Sequence, residues 1–268
     1  MRKLEARELE EFERRYFEFI LTALKENIKD VLEGLHSRLR IKADWYERFK
    51  KTARAGYEAS DLERGAERIF FWIYDKVLRH PNSAPIGADM LYETADAFLH
   101  IDIKTSVITN KADYRGLVNI GQNQTSFKTP SIHFEPNLPT YYSAMFTHPE
   151  KGEKFNKPCL TYLIHIIHKQ YDEPIYAILL ISVPNGELEP IYRDERIVNA
   201  GKSGRGRDIR YAYWRCPYFK LLSNNSYYKY RVEFVYLLEL ENVGQREITR
   251  IDPKKHRLPV HFLVKGDL

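Results

Sequence analysis

Cysteine is nearly absent: Cys159 and Cys216 are the only two in 268 residues, giving neither a disulfide framework nor a zinc spacing, so a reducing cytoplasm is the expected setting. Long hydrophobic runs are missing too. The longest, Ala177 to Val183, falls far short of the ~20 residues that a membrane-spanning helix needs. No signal-peptide pattern opens the chain and no membrane partner is expected. There is no internal repeat, low-complexity segment or long polar linker, which leaves one large α/β domain or two modest ones. A strong charge of one sign is also lacking. The 42 basic and 37 acidic side chains leave +5 and a pI near 8.9, a mild bias towards a polyanion, so where the basic residues cluster matters more than their sum.

What the chain does carry is a stretch, Ile86 to Lys104, that reads as a β-hairpin. Alternate residues of a strand share a face, which groups Asp89, Leu91 and Glu93 on one strand and Phe98, His100, Asp102 and Lys104 on the next. A four-residue turn over Thr94 to Ala97 sets Glu93 opposite Phe98 and Asp89 opposite Asp102. Two carboxylates and an ammonium then meet at the open end of the hairpin. Like charges held side by side call for a cation, and oxygen ligands suit Mg²⁺, which keeps several waters for Lys104 to orient or activate. Either Asp89 or Glu93 can supply the first carboxylate; Asp89 is favoured because it pairs across from Asp102, whereas Glu93 sits beside the turn. His100 reads as a core or edge histidine. His165 and His168, three apart on a strand, face opposite sides and read as structural.

On these residues the chain resembles the PD-(D/E)XK nucleases and, within them, the EcoRV-type restriction endonucleases. Asp102-Ile103-Lys104 matches the D-x-K of that family and Asp89 takes the place of its first acid, although Ala88 stands where the family has proline. The order continues through Thr105, Thr109-Asn110-Lys111, Gly121 and Thr125-Ser126-Phe127. The resemblance implies an α/β (α+β) restriction-endonuclease-like fold, with a central mixed β-sheet flanked by helices. It divides the chain into an N-terminal helical region over 1–58, for packing or dimerisation, and a nuclease core over 59–268. It implies a type II restriction endonuclease: a homodimer that uses Mg²⁺ to hydrolyse both strands of double-stranded DNA, leaving 5′-phosphates and blunt ends. Asp89 and Asp102 would hold the metal, with the Ile103 carbonyl completing its coordination and Lys104 beside the attacking water. A repair or recombination nuclease of the same core and a non-catalytic DNA-binding protein are the alternatives.

Around the hairpin, apolar residues at helical spacing from Leu9 to Leu35 predict one long amphipathic helix over 3–35, packed on its own domain or used between two copies. A short helix over Ala43 to Ala53 carries Lys50, Lys51 and Arg54 on a solvated face. Ser60-Asp61-Leu62-Glu63 has the form of a capping box and opens a helix that Pro81 ends. In the resembling fold a helix in this place supplies an additional acid near the metals, for which Glu67 and Glu63 are available. The loop His80 to Pro85, with Asn82, corresponds to one that approaches the minor groove.

Four further stretches complete the reading. In Gly116 to Phe127, a short alternating run gives way to Gln122, Gln124, Thr125 and Ser126, polar groups suited to phosphate oxygens. Cys159 to His168 and Ile175 to Val183 predict neighbouring core strands joined by a turn. After a strand ending at Val198, Asn199 to Arg207 combines three glycines with Lys202, Ser203, Arg205 and Arg207. Glycines allow close backbone approach and arginine can be bidentate to guanine, so this loop reads as a groove-entering recognition loop, in the place the EcoRV-type enzymes have theirs.

Overall fold

The computed structural model describes residues 3–35, 89–107, 117–120, 124–127, 138–143, 156–168, 175–192, 197–199, 209–212 and 230–238. The hairpin is formed by β1 (Met90–Glu93) and β2 (Phe98–Val107), in the register that the alternation predicts, with Glu93 opposite Phe98 and Met90 opposite Ile101. Four further strands join them in one sheet: β4 (Tyr141–Ser143), β5 (Asn156–His168), β6 (Ile175–Val183) and β9 (Val232–Leu237). The order is β1-β2-β5-β6-β9, with β4 paired to the first residues of β5. Among the described strands only β2 and β5 pair in parallel, and parallel neighbours need a long crossover connection, here the chain between Val107 and Asn156. A second sheet of three strands comprises β3 (Leu117–Ile120), β7 (Ile197–Asn199) and β8 (Ile209–Ala212), with β8 in the middle.

All nine residues of β6 are buried, the mark of a central strand covered on both faces, and the apolar run from Ile175 to Ile181 is why the sequence shows no alternation there. Helix α1 (Ala6–Glu26) packs on this sheet through Leu9, Phe17, Ile20, Ala23 and Leu24. Phe17 meets the Tyr230 ring edge-on at 5.8 Å and the Tyr162 hydroxyl donates to the Glu13 carbonyl at 2.8 Å. The expected single helix over 3–35 is interrupted at Asn27, whose side-chain amide donates to the Ala23 carbonyl at 2.8 Å and so competes with the helix ladder. Helix resumes over 28–35, where Val31 and Leu35 join the same core.

Charge is buried where the stripe predicted only apolar contact. Glu10 and Glu13 on α1 and Arg231 beside β9 are all fully buried. The guanidinium donates to Glu13 Oε2 at 2.5 Å, to the Tyr192 hydroxyl at 3.2 Å and to Ser182 Oγ at 3.2 Å, while Glu10 accepts from the Tyr192 hydroxyl. Burial pushes the Glu13 carboxyl up and Arg231 opposes that shift. The network bolts α1 to β6 and β9, opposite ends of the chain in sequence.

Candidate active site

Asp89 immediately precedes β1, so the hairpin register carries it to the level of Asp102. Its Oδ2 accepts a hydrogen bond from the Ile103 amide at 2.5 Å. Asp102 is fully buried in the middle of β2. Its Oδ1 accepts from Gln124 Nε2 at 2.9 Å; Oδ2 lies 2.5 Å from Lys104 Nζ but accepts no hydrogen bond of acceptable geometry. Lys104, two residues on and on the same face, also donates to Gln124 Oε1 at 2.7 Å. Burial above all pushes the Asp102 carboxyl up to about 8; Lys104 pulls it down, and the neighbouring Asp89 carboxylate adds to the rise. The two acids and the ammonium thus meet as the alternation predicts.

Glu93 goes elsewhere. It sits at the turn end of β1, about 13 Å from Asp89 at ~3.3 Å per residue, and its carboxylate accepts from Lys157 Nζ at 2.6 Å. Lys157 also donates to the Thr94 carbonyl at 2.7 Å. The turn is held from the other side by α1: the Tyr16 hydroxyl and the Arg15 guanidinium both bind Asp96, and Tyr16 reaches Thr94 Oγ1 at 2.6 Å. A turn fixed at both flanks sets the angle at which the opposite, acidic end of the hairpin is presented. Of the two residues that the sequence allows as first acid, only Asp89 reaches Asp102.

The polar segment 124–127 divides in its roles. Gln124 enters the site, but Thr125 and Ser126 are buried with their hydroxyls turned inward, Thr125 Oγ1 accepting from the Phe127 amide at 3.0 Å and Ser126 Oγ from the Gly186 amide at 3.2 Å. In this structure both hydroxyls are turned to backbone donors of the fold itself. His100 is buried on β2 opposite Leu91. His165 is buried with Nε2 2.7 Å from Ser106 Oγ, and burial lowers its pKa to about 3, so the ring is neutral and structural. Glu63, Glu67, Asn82, Gln122, Lys202, Ser203, Arg205 and Arg207 lie outside the described residues; Asn199 ends β7 opposite Ile209 with its side chain outside them.

The residues present fit a hard divalent cation. A carboxylate that burial and a second carboxylate push up to about 8, with one oxygen accepting no hydrogen bond, carries its negative charge at a cost that a cation would relieve. Among the described residues no three His, Cys, Asp or Glu side chains converge, so the donors to hand are Asp89, Asp102 and main-chain oxygen such as that of Ile103. Sequence reasoning placed Gln124 on DNA and missed its part here. A side chain able to donate and accept at once was the signal, but nothing in a separation of some twenty residues shows that it closes on the hairpin.

Residues 5–173, well over half of the chain, match the family described as the N-terminal domain of type II restriction enzyme MwoI, and residues 175–237 match that enzyme's central domain. Among solved structures the chain is similar to the tetrameric restriction endonuclease SfiI bound to cognate DNA, with a TM-score of 0.57 and 15% identity over 78% of this chain and 80% of that one. It is also similar to the restriction endonuclease BglI bound to its DNA recognition sequence, with a TM-score of 0.52 and 16% identity over 75% and 85%. At such identities the likeness is one of fold. No curated protein matches by sequence.

Proposed function

The chain belongs to the MwoI family of type II restriction enzymes and is a site-specific endodeoxyribonuclease; from that premise we propose that Asp89, Asp102 and Lys104 perform the cut on double-stranded DNA, with Mg²⁺ as the ion they use. The supporting observation is the buried Asp102, raised to about 8, with Asp89 against it and Lys104 Nζ 2.5 Å from its Oδ2. When bound, a divalent ion supplies Lewis acidity towards the scissile phosphate and lowers the pKa of a coordinated water. Asp89 and Asp102 would hold it, with the Ile103 carbonyl able to complete the donor set. Lys104 holds the attacking water in line and offsets negative charge that develops on the phosphate, an effect strengthened by the low-dielectric wall that β2 and β5 form. Glu67 is the additional acid that the preceding helix would bring.

Recognition belongs, in this reading, to the loop after β7, where Arg205 and Arg207 address base edges while Asn199, Lys202 and Ser203 fix the backbone, with Gln122 and Asn82 as further contacts. SfiI is tetrameric; for this chain a homodimer is the smallest assembly that offers a site to each strand, and it would leave 5′-phosphates. The blunt ends implied by the EcoRV-type resemblance rest on the hairpin alone, and the termini of the product decide them.

Incubation of plasmid DNA with Mg²⁺ tests the whole: discrete fragments are expected, and none when EDTA replaces the metal. Lys104→Ala should retain duplex binding and lose cutting, and Asp102→Ala should lose cutting by losing metal. Near wild-type cutting by either variant removes the site assignment.

A further inference from the structure

The Gln124 side chain hydrogen-bonds to both Asp102 and Lys104. Its amide closes a three-membered ring: Lys104 Nζ to Asp102 Oδ2 at 2.5 Å, Lys104 Nζ to Gln124 Oε1 at 2.7 Å, and Gln124 Nε2 to Asp102 Oδ1 at 2.9 Å. An ammonium has only donors, so the amide must turn its oxygen to Lys104, which leaves its NH₂ to donate to Asp102 Oδ1. A carboxylate in its place would lack the donor, and a hydroxyl the span.

The base from which Gln124 projects is fixed. Thr125, Ser126 and Phe127 are buried directly behind it, and the Ser126 backbone lies so close to Gly186 that a Cβ there would fall 2.1 Å from the Ser126 carbonyl oxygen. A flexible lysine is therefore tethered to a rigid part of the fold and not only to the acid beside it.

We propose that Gln124 is a positioning residue of the nuclease site, holding the Lys104 ammonium in place and leaving Asp102 Oδ2 as the oxygen open to a cation. The inference rests on Asp102 and Lys104 being the cutting pair. With Oδ1 engaged by the amide, Oδ2 accepts no hydrogen bond and has the Lys104 ammonium 2.5 Å away, so an incoming cation competes with Lys104 for that atom. Once Asp102 gives Oδ2 to a cation, the Gln124 carbonyl is the anchor that keeps Lys104 from swinging into solvent. Both polar ends of the amide are engaged within the site, which opposes a primary role on DNA.

The test uses Gln124→Met, similar in length but without amide ends, and Gln124→Glu, which keeps the acceptor for Lys104 and loses the donor to Asp102. Each is made in the wild-type and the Lys104→Ala backgrounds. Two quantities are measured on a duplex carrying a cut site mapped from the plasmid fragments: the single-turnover cleavage rate with Mg²⁺ and enzyme in excess, and the equilibrium affinity with Ca²⁺ replacing Mg²⁺. The rate should fall ~10–100-fold, the usual cost of removing a group that orients a metal-site ligand, with duplex affinity unchanged. In the Lys104→Ala background, followed over incubations long enough to resolve its residual cutting, the same substitutions should cost little further, because the group they position is gone. Equal losses in both backgrounds would make Gln124 merely structural. Weakened affinity with an unchanged rate would make it a DNA contact, and no effect on either quantity would dismiss it; each of these overturns the proposal. Wild-type cutting by Lys104→Ala alone would instead remove the site reading on which it rests.

Discussion

His165 is neutral for the same reason that Asp102 is hard to ionise: burial penalises whichever form carries charge, lowering the histidine to about 3 and raising the acid to about 8. The histidine has a measurable consequence. Its folded pKa lies below its ordinary value of 6.5, so between about 6.5 and 3 the unfolded chain binds the extra proton and stability falls as pH falls; above 6.5 the contribution is fully present. His165→Gln, which keeps an amide near Ser106 Oγ and does not titrate, should flatten that acid limb by about one proton's worth of slope. Urea melts at a series of pH values would show it, and an unchanged slope would mean that the ring charges in place. Cys159 is also silenced by burial, its thiol pushed up to about 12, so its location in the core carries no nucleophile into the site.

At the scale of elements, the packing of α1 and of the 124–127 segment decides whether the hairpin is presented correctly. Arg231→Met would leave Glu10 and Glu13 buried together with no counter-charge, and losing one partner of a buried ion pair typically costs ~3–5 kcal/mol. A large drop in denaturation midpoint is the expected result, and a drop in the range of a surface substitution would show that one glutamate already holds a proton. Gly186→Ala should destabilise by ~1–3 kcal/mol, as overpacking does, and should slow cleavage as well, since the backbone it pushes on carries Gln124. Loss of stability without loss of rate would uncouple that segment from the site. Elements whose pattern is local were legible in the sequence. The hairpin register followed from period-two alternation, β5 and β6 from short β-rich runs, and the start of α1 from its stripe. What was not legible depends on distant partners. A helical stripe puts charges outside, and nothing in Glu10 or Glu13 shows that Arg231, over two hundred residues away, will make their burial possible. The break at Asn27 is hidden because apolar spacing continues through it. The parallel pairing of β2 with β5 covers the second edge of β2, and it joins strands far apart in sequence that no local pattern links.

At the scale of the whole molecule, the proposed assignment gives each copy one cutting site, and a duplex has two strands of opposite direction. Two copies related by a two-fold axis offer each strand the same site and each half of a symmetric sequence the same loop. The apolar stripe of α1 is occupied by its own sheet, with Leu9, Phe17, Ile20 and Leu24 in the core. A dimer must therefore use other surfaces, and Phe19, the one large hydrophobic exposed among the described residues, is too little to hold two copies together. Light scattering should find an even-numbered assembly, alone or on a short duplex containing the cut site; a protein that stays monomeric on that duplex would remove the two-fold reading. Discrimination is then a property of the pair. Arg205→Ala or Arg207→Ala in both copies should reduce preference for the cognate sequence by ~1–3 kcal/mol for each bidentate arginine–base pairing removed from a half-site. If the variants instead weaken binding to all duplexes equally and only lower the salt dependence, the loop after β7 clamps phosphate and the bases are read elsewhere.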